Sequence, residues 1–150
     1  MTLKVNDKSP EVMSMAAEWP IVDALPGKKF MPKWPAEEDE TYKDRLSVAT
    51  LLPAFERTLG VMAGKPFSKE LTFGENVPSQ IVEWCESVDG DNASLHSFSS
   101  ELMSEVLAYG IAGVLVDHTR HERPLITLSE AINAGARPYM VMYKHSQILG

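Results

Sequence analysis

The chain has one cysteine, Cys85, among its 150 residues. That excludes an intrachain disulfide and fits synthesis in a reducing compartment. No stretch approaches the roughly 20 apolar residues of a membrane-spanning helix, and the opening Met1–Lys8 segment lacks the apolar core of a signal peptide. Basic residues are also scarce: 14 Lys and Arg stand against 21 Asp and Glu, a net charge of −7. This argues against nonspecific nucleic-acid binding, which needs a basic footprint. It leaves room for a surface that merely lets DNA pass. No internal repeat and no low-complexity tract is visible. The expectation is a soluble protein made in the cytoplasm, with no membrane partner.

What is present is enough for one domain. A chain of this length buries about 68–70% of its unfolded surface without help from disulfides, and 44% hydrophobic with 23% charged residues is ordinary for a globular protein. The clearest signal runs from Ser94 to Asp117. Leu95, Phe98, Leu102, Val106 and Tyr109 recur at three- and four-residue intervals, the spacing of one helix face. Ser94 suits the N-cap, and Gly110 suits a left-handed helix end. Ile111–Val116 follows as a β-branched apolar run and predicts a buried strand. The helix is expected to pack on Ile111, Val114, Val116, Tyr139 and Val141.

Residues 1–36 read differently. Five of the ten prolines lie there, which disfavours a long helix or a central strand. Trp19, Ile21, Leu25, Phe30, Met31 and Trp34 are too apolar for a solvated linker. An extended arm lying on its own domain or on a neighbour is predicted, followed by a domain over 37–150. In that domain, Glu37–Glu40 opens a helical stretch to about Met62, its carboxylates favourable at the helix N-terminus. Pro53 kinks or divides it. Lys69–Phe73 is a weak strand candidate, Pro78 introduces a helix containing Ile81, Val82 and Cys85, and Asp89–Asn92 is a turn. His118–Pro124 is a polar loop, Thr127 caps a short helix, and Arg137–Tyr143 is a second strand. The last residues look like the start of another element. The fold class expected is α+β, with helices packed on a small mixed or antiparallel sheet.

Residue chemistry alone gives no active site. His118 and His121, with His96, Cys85 and Asp117, could supply zinc ligands. A structural zinc site needs four ligands, commonly with paired cysteines, and Arg120 and Arg123 flank this loop, so a solvated connection is the better reading. Cys85 could be a nucleophile, but its place beside Ile81 and Val82 favours a buried thiol. Gly60–Lys65 lacks the spacing and the Ser or Thr of a phosphate loop. The eight methionines are dispersed, as core filling predicts. No catalytic, metal or cofactor-binding residue is assigned.

Three blocks, Phe30–Phe67, Ser94–Asp117 and Arg137–Ile148, taken in order, resemble the portal (head–tail connector) proteins of tailed bacteriophages, in a branch often described only as a phage domain of unknown function. The first runs from Phe30-Met-Pro-Lys-Trp-Pro through the acidic helix start to Arg57-Thr-Leu-Gly60 and Lys65-Pro66, with Phe67 departing from a commoner second proline. The second is Ser94-Leu95, Phe98, Glu105-Val-Leu, Tyr109-Gly110 and Gly113-Val-Leu-Val-Asp117. The third is Arg137-Pro-Tyr-Met-Val-Met-Tyr143 followed by Ile148. They cover roughly residues 20–150.

The resemblance implies a structural, non-enzymatic subunit of the outer wing, without cofactor. It implies a homo-oligomeric ring, typically of twelve subunits, at one capsid vertex of the virion. Double-stranded DNA would pass through that ring without sequence-specific binding, and terminase, head-completion (adaptor) and capsid proteins would dock on it. Portals are several times longer, so the chain is expected to be an N-terminal part, incomplete at its C-terminus. Trp19, Ile21, Leu25, Phe30, Trp34, Arg57, Lys65, Arg120 and Arg123 are the candidate intersubunit contacts. The competing readings are a small cytoplasmic α+β enzyme with an unrecognised site, and a phage accessory protein sharing the wing fold.

Overall fold

The computed structural model describes residues 7–25, 31–50, 52–119 and 127–148. Phe30, Arg120, His121 and Arg123 therefore lie outside the described residues. The fold is α+β: seven short to medium helices and one two-stranded antiparallel sheet are formed by the described residues.

The arm is not extended over its described part. It forms α1 (Pro10–Ala16) and α2 (Trp19–Ala24). Both helices are short, as the prolines require, and Pro10 and Pro20 stand in their first turns, where a backbone N–H has no intrahelical acceptor. The Ser9 hydroxyl caps α1 by accepting the Val12 N–H at 3.3 Å. The acidic stretch divides at Pro53 into α3 (Asp39–Val48) and α4 (Ala54–Gly64). Lys69–Phe73 joins no ladder, and α5 (Ser79–Cys85) follows.

The Ser94–Asp117 signal is realised closely. α6 (Leu95–Tyr109) begins at Ser94, whose hydroxyl accepts the Ser97 N–H, and ends at Gly110 with φ of 82°. β1 (Gly113–His118) starts two residues later than expected and takes in Asp117 and His118. Thr127 caps α7 (Leu128–Asn133) in a reciprocal box with Glu130. β2 (Pro138–Tyr143) pairs with β1 in the register Gly113↔Tyr143 to His118↔Pro138, and a 3-10 turn covers His145–Gln147.

The packing partner of α6 differs from expectation. It lies mainly against α4 and α2 instead of the sheet. Phe98 is buried, while Leu95, Leu102 and Tyr109 are half-buried and Val106 is exposed. Val114, Leu115 and Val116 are 42%, 45% and 60% exposed, so among the described residues neither face of β1 is fully covered. Among the described residues the buried apolar side chains are Val12, Trp19, Ala63, Val88 and Phe98.

Candidate interaction surface

Two arrangements stand out, and the first is a cluster that ties both ends of the described chain to α6. His145 is 9% exposed. Its ring stacks on Tyr109 with centroids 3.6 Å apart and meets Trp19 edge-on at 4.7 Å. Its Nδ1 lies 2.7 Å from Glu105 Oε1. The Trp19 indole N–H donates to the Tyr109 carbonyl at 3.0 Å, which satisfies an acceptor of the last helical turn. The Tyr109 hydroxyl donates to Asp23 Oδ1 at 2.8 Å. Burial first, and then this hydrogen bond, pushes the phenol up to about 12. A histidine beside a carboxylate has the composition of an acid–base pair. Here aromatic rings contact the imidazole and the carboxylate also holds its backbone, so the pair fastens α2, α6 and the 3-10 turn together.

The second arrangement is the uncovered sheet. Ladder geometry fixes which way each amide of β1 points. Thr119 N–H donates to Arg137 O at 3.2 Å, continuing the ladder, whereas Met140 N–H turns away from β1 to Val88 O at 2.7 Å. Antiparallel pairs alternate between exchanging and not exchanging hydrogen bonds. Gly113, Leu115 and Asp117 therefore bond to β2, and Val114 and Val116 direct their N–H and C=O outward. Among the described residues nothing meets those groups. β1 is thus an open edge, flanked by apolar side chains on both faces.

Beside it, Ile81, Trp84, Cys85 and Val88 of the α5 region face Val116, Pro138, Tyr139 and Met140 across an apolar groove of about 220 Å³. The turn after α5 is held rigidly. Asp89 Oδ1 accepts the N–H groups of Asp91 and Ala93 at 2.8 and 3.0 Å, and these bonds hold its carboxyl below the usual range. Arg137 reaches Ser87 Oγ at 3.2 Å.

The candidate contact residues separate into groups. Trp19 is buried within its own chain, Leu25 is half-buried, and Ile21, Trp34, Arg57 and Lys65 are exposed. Trp34 is 68% exposed on a segment fastened to α3, where Arg45 makes a two-pronged contact with Glu37 at 2.8 and 2.7 Å and donates to Pro32 O at 2.9 Å. Tyr42 donates to Met31 O at 2.9 Å. His118 is exposed, its Nδ1 3.0 Å from Thr119 O, and Cys85 is half-buried in the groove wall. No three His, Cys, Asp or Glu side chains converge as metal ligands among the described residues. The His145 cluster escaped sequence reading because Glu105 and His145 share no motif and are brought together only by the fold.

No protein-family model matches the chain, and the search of curated proteins gives no match.

Proposed function

We propose that this chain is a structural assembly subunit, the wing part of a phage portal ring through which DNA is packaged and ejected. The observation that carries the reading is the unsatisfied surface. Among the described residues, exposed apolar groups include Val114, Leu115 and Val116, the groove beside α5, and Trp34, Val48, Leu52, Leu128 and Ile132. Exposed apolar side chains beside an open strand edge are the kind of surface that marks an interaction site. An isolated two-stranded sheet is marginal in water and gains stability from added strands or covering helices.

The three sequence blocks supply the identity of the assembly, and the acidic charge suits a ring that passes a polyanion without gripping it. In this reading Ile21, Trp34, Arg57 and Lys65 are available to neighbouring subunits, and terminase, adaptor and capsid proteins dock on the completed ring.

The test is electron microscopy of the purified protein together with its mass by sedimentation. Closed rings with a central channel and this segment at the outer rim are expected. A monomer that persists at high concentration, or turnover of a substrate dependent on Glu105 and His145, would overturn the reading in favour of a small enzyme.

A further inference from the structure

Two features of the described residues lack a strand partner. One is the outer edge of β1, where Val114 and Val116 present free N–H and C=O groups between exposed apolar side chains. The other is Lys69–Phe73. Its apolar residues, Leu71 and Phe73, alternate with Glu70 and Thr72, which is strand periodicity. No hydrogen bond engages the backbone of this segment among the described residues, and Leu71 and Phe73 remain 41% and 39% exposed.

The segment and the edge do not meet within one chain. Cys85 of α5 borders the groove on the sheet side and also the recess formed with Leu71, Phe73, Leu95 and His96. α5 thus stands between the segment and its own sheet.

We propose that Lys69–Phe73 of one copy adds as a strand to the β1 edge of the next copy. This rests on the ring reading above and names a contact that joins its subunits. Strand addition supplies the outward N–H and C=O groups with main-chain partners, and alternate side chains provide the specificity. Leu71 and Phe73 would fall on one face of the added strand, against the β-branched and leucine side chains of β1, a favoured kind of cross-strand pairing. The occupant is a second copy because the chain itself carries both halves of the contact. Two different patches meeting head to tail generate a ring when the rotation closes.

Disulfide trapping tests this directly. In a Cys85→Ser background, chains carrying Thr72→Cys are mixed with chains carrying Val114→Cys, Leu115→Cys or Val116→Cys and then oxidised. At least one mixture should give a covalent heterodimer, since paired strands bring Cα atoms within disulfide reach. Thr72→Cys chains alone should give none. Absence of a heterodimer from every mixture overturns the proposal, as does equally efficient crosslinking of Val116→Cys chains with one another, which would mean that β1 pairs with β1.

Val116→Pro provides a second readout. It removes an outward N–H and leaves the ladder to β2 intact. Association should weaken about tenfold, the scale of one or two backbone hydrogen bonds, with melting nearly unchanged; unaltered association overturns the proposal. Rings without the crosslink would discard this contact and keep the ring, whereas the crosslink without closed rings would do the reverse.

Discussion

Glu105 Oε1 lies 2.7 Å from His145 Nδ1 and also accepts the His145 backbone N–H at 3.2 Å, although the residues are 40 apart in sequence. One carboxylate thus holds both the ring and the main chain of the turn that follows β2. The ring in turn packs on Trp19 from the N-terminal helices. Segments distant in sequence are joined at the end of α6 by a charged group, a stacked pair and a buried indole.

Breaking that join has a defined cost. Glu105→Ala strands a nearly buried imidazole and a backbone N–H, which should lower stability by about 1–3 kcal/mol. Trp19→Ala removes a buried ring and should cost about 3–5 kcal/mol. Chemical denaturation of both variants checks this. A Trp19→Ala midpoint equal to that of the parent chain would mean that α2 does not rest on α6.

Alkaline stability should depend on Tyr109. Its phenol is raised to about 12, from an unfolded value near 10, by burial and by the bond to Asp23. The neutral phenol is therefore favoured in the folded chain. The stabilisation is complete below pH 10 and is lost as pH rises through 12. Tyr109→Phe should reduce stability near neutral pH and flatten the decline between pH 10 and 12. An unchanged alkaline limb in Tyr109→Phe would assign the decline to other groups.

The Glu37–Arg45 contact works at the other end of the scale. Its hydrogen bond with Arg45 pulls the Glu37 carboxyl from 4.5 down to about 2, with lesser help from the Trp34 N–H and nearby positive charge. A depressed folded value means that the contribution is present above pH 4.5 and disappears as pH falls through 2. Hydrogen exchange of residues 31–48 should accelerate over that window. In Glu37→Gln it should be fast already at neutral pH. Pro32 and Trp34 are held by this contact, so their placement should loosen over the same pH window.

Gly110 is the position where substitution should hurt most for its size. Its φ of 82° disfavours any side chain, and a Cβ there would come 2.7 Å from Met15 Sδ. Gly110→Ala should cost about 1–2 kcal/mol for the left-handed backbone alone, with displacement of the Met15 side chain added. Thermal unfolding together with fluorescence of Trp19 would register both effects.

Local grammar was legible in the sequence, and long-range packing was not. Ser94, Gly110 and Thr127 marked helix ends because capping depends on a few adjacent backbone groups. The prolines of the arm did exclude a long helix, but the extended-arm reading failed because Pro10 and Pro20 suit first turns as well as they break helix interiors, and composition does not say which applies. The face of α6 was read correctly at Phe98, in part at Leu95, Leu102 and Tyr109, and not at the exposed Val106; the three- and four-residue spacing names a face without naming what buries it. α4 and α2 occupy that place, and the sheet predicted there is left open. The His145 cluster carried no signal at all, since its members meet only after α2, α6 and the C-terminal turn have docked.

The open sheet makes its own prediction at the level of single amides. In β1, Leu115 and Asp117 donate to β2, while Val114 and Val116 point outward. In a dilute, unassembled chain, exchange should therefore alternate along the strand. Leu115 and Asp117 should be protected, and Val114 and Val116 should exchange at rates close to those of free peptide. The interior of α6, packed on α4, should exceed both groups in protection. If Lys69–Phe73 adds to that edge as proposed, concentrating the protein should slow Val114 and Val116 selectively, because the added strand supplies the missing acceptors. Uniform protection of β1 in the monomer would place a covering element over the edge, and unchanged exchange on assembly would locate the interface elsewhere. The alternation also tests the register. A one-residue slip of β1 against β2 would exchange the two groups, protecting Val114 and Val116 and freeing Leu115 and Asp117.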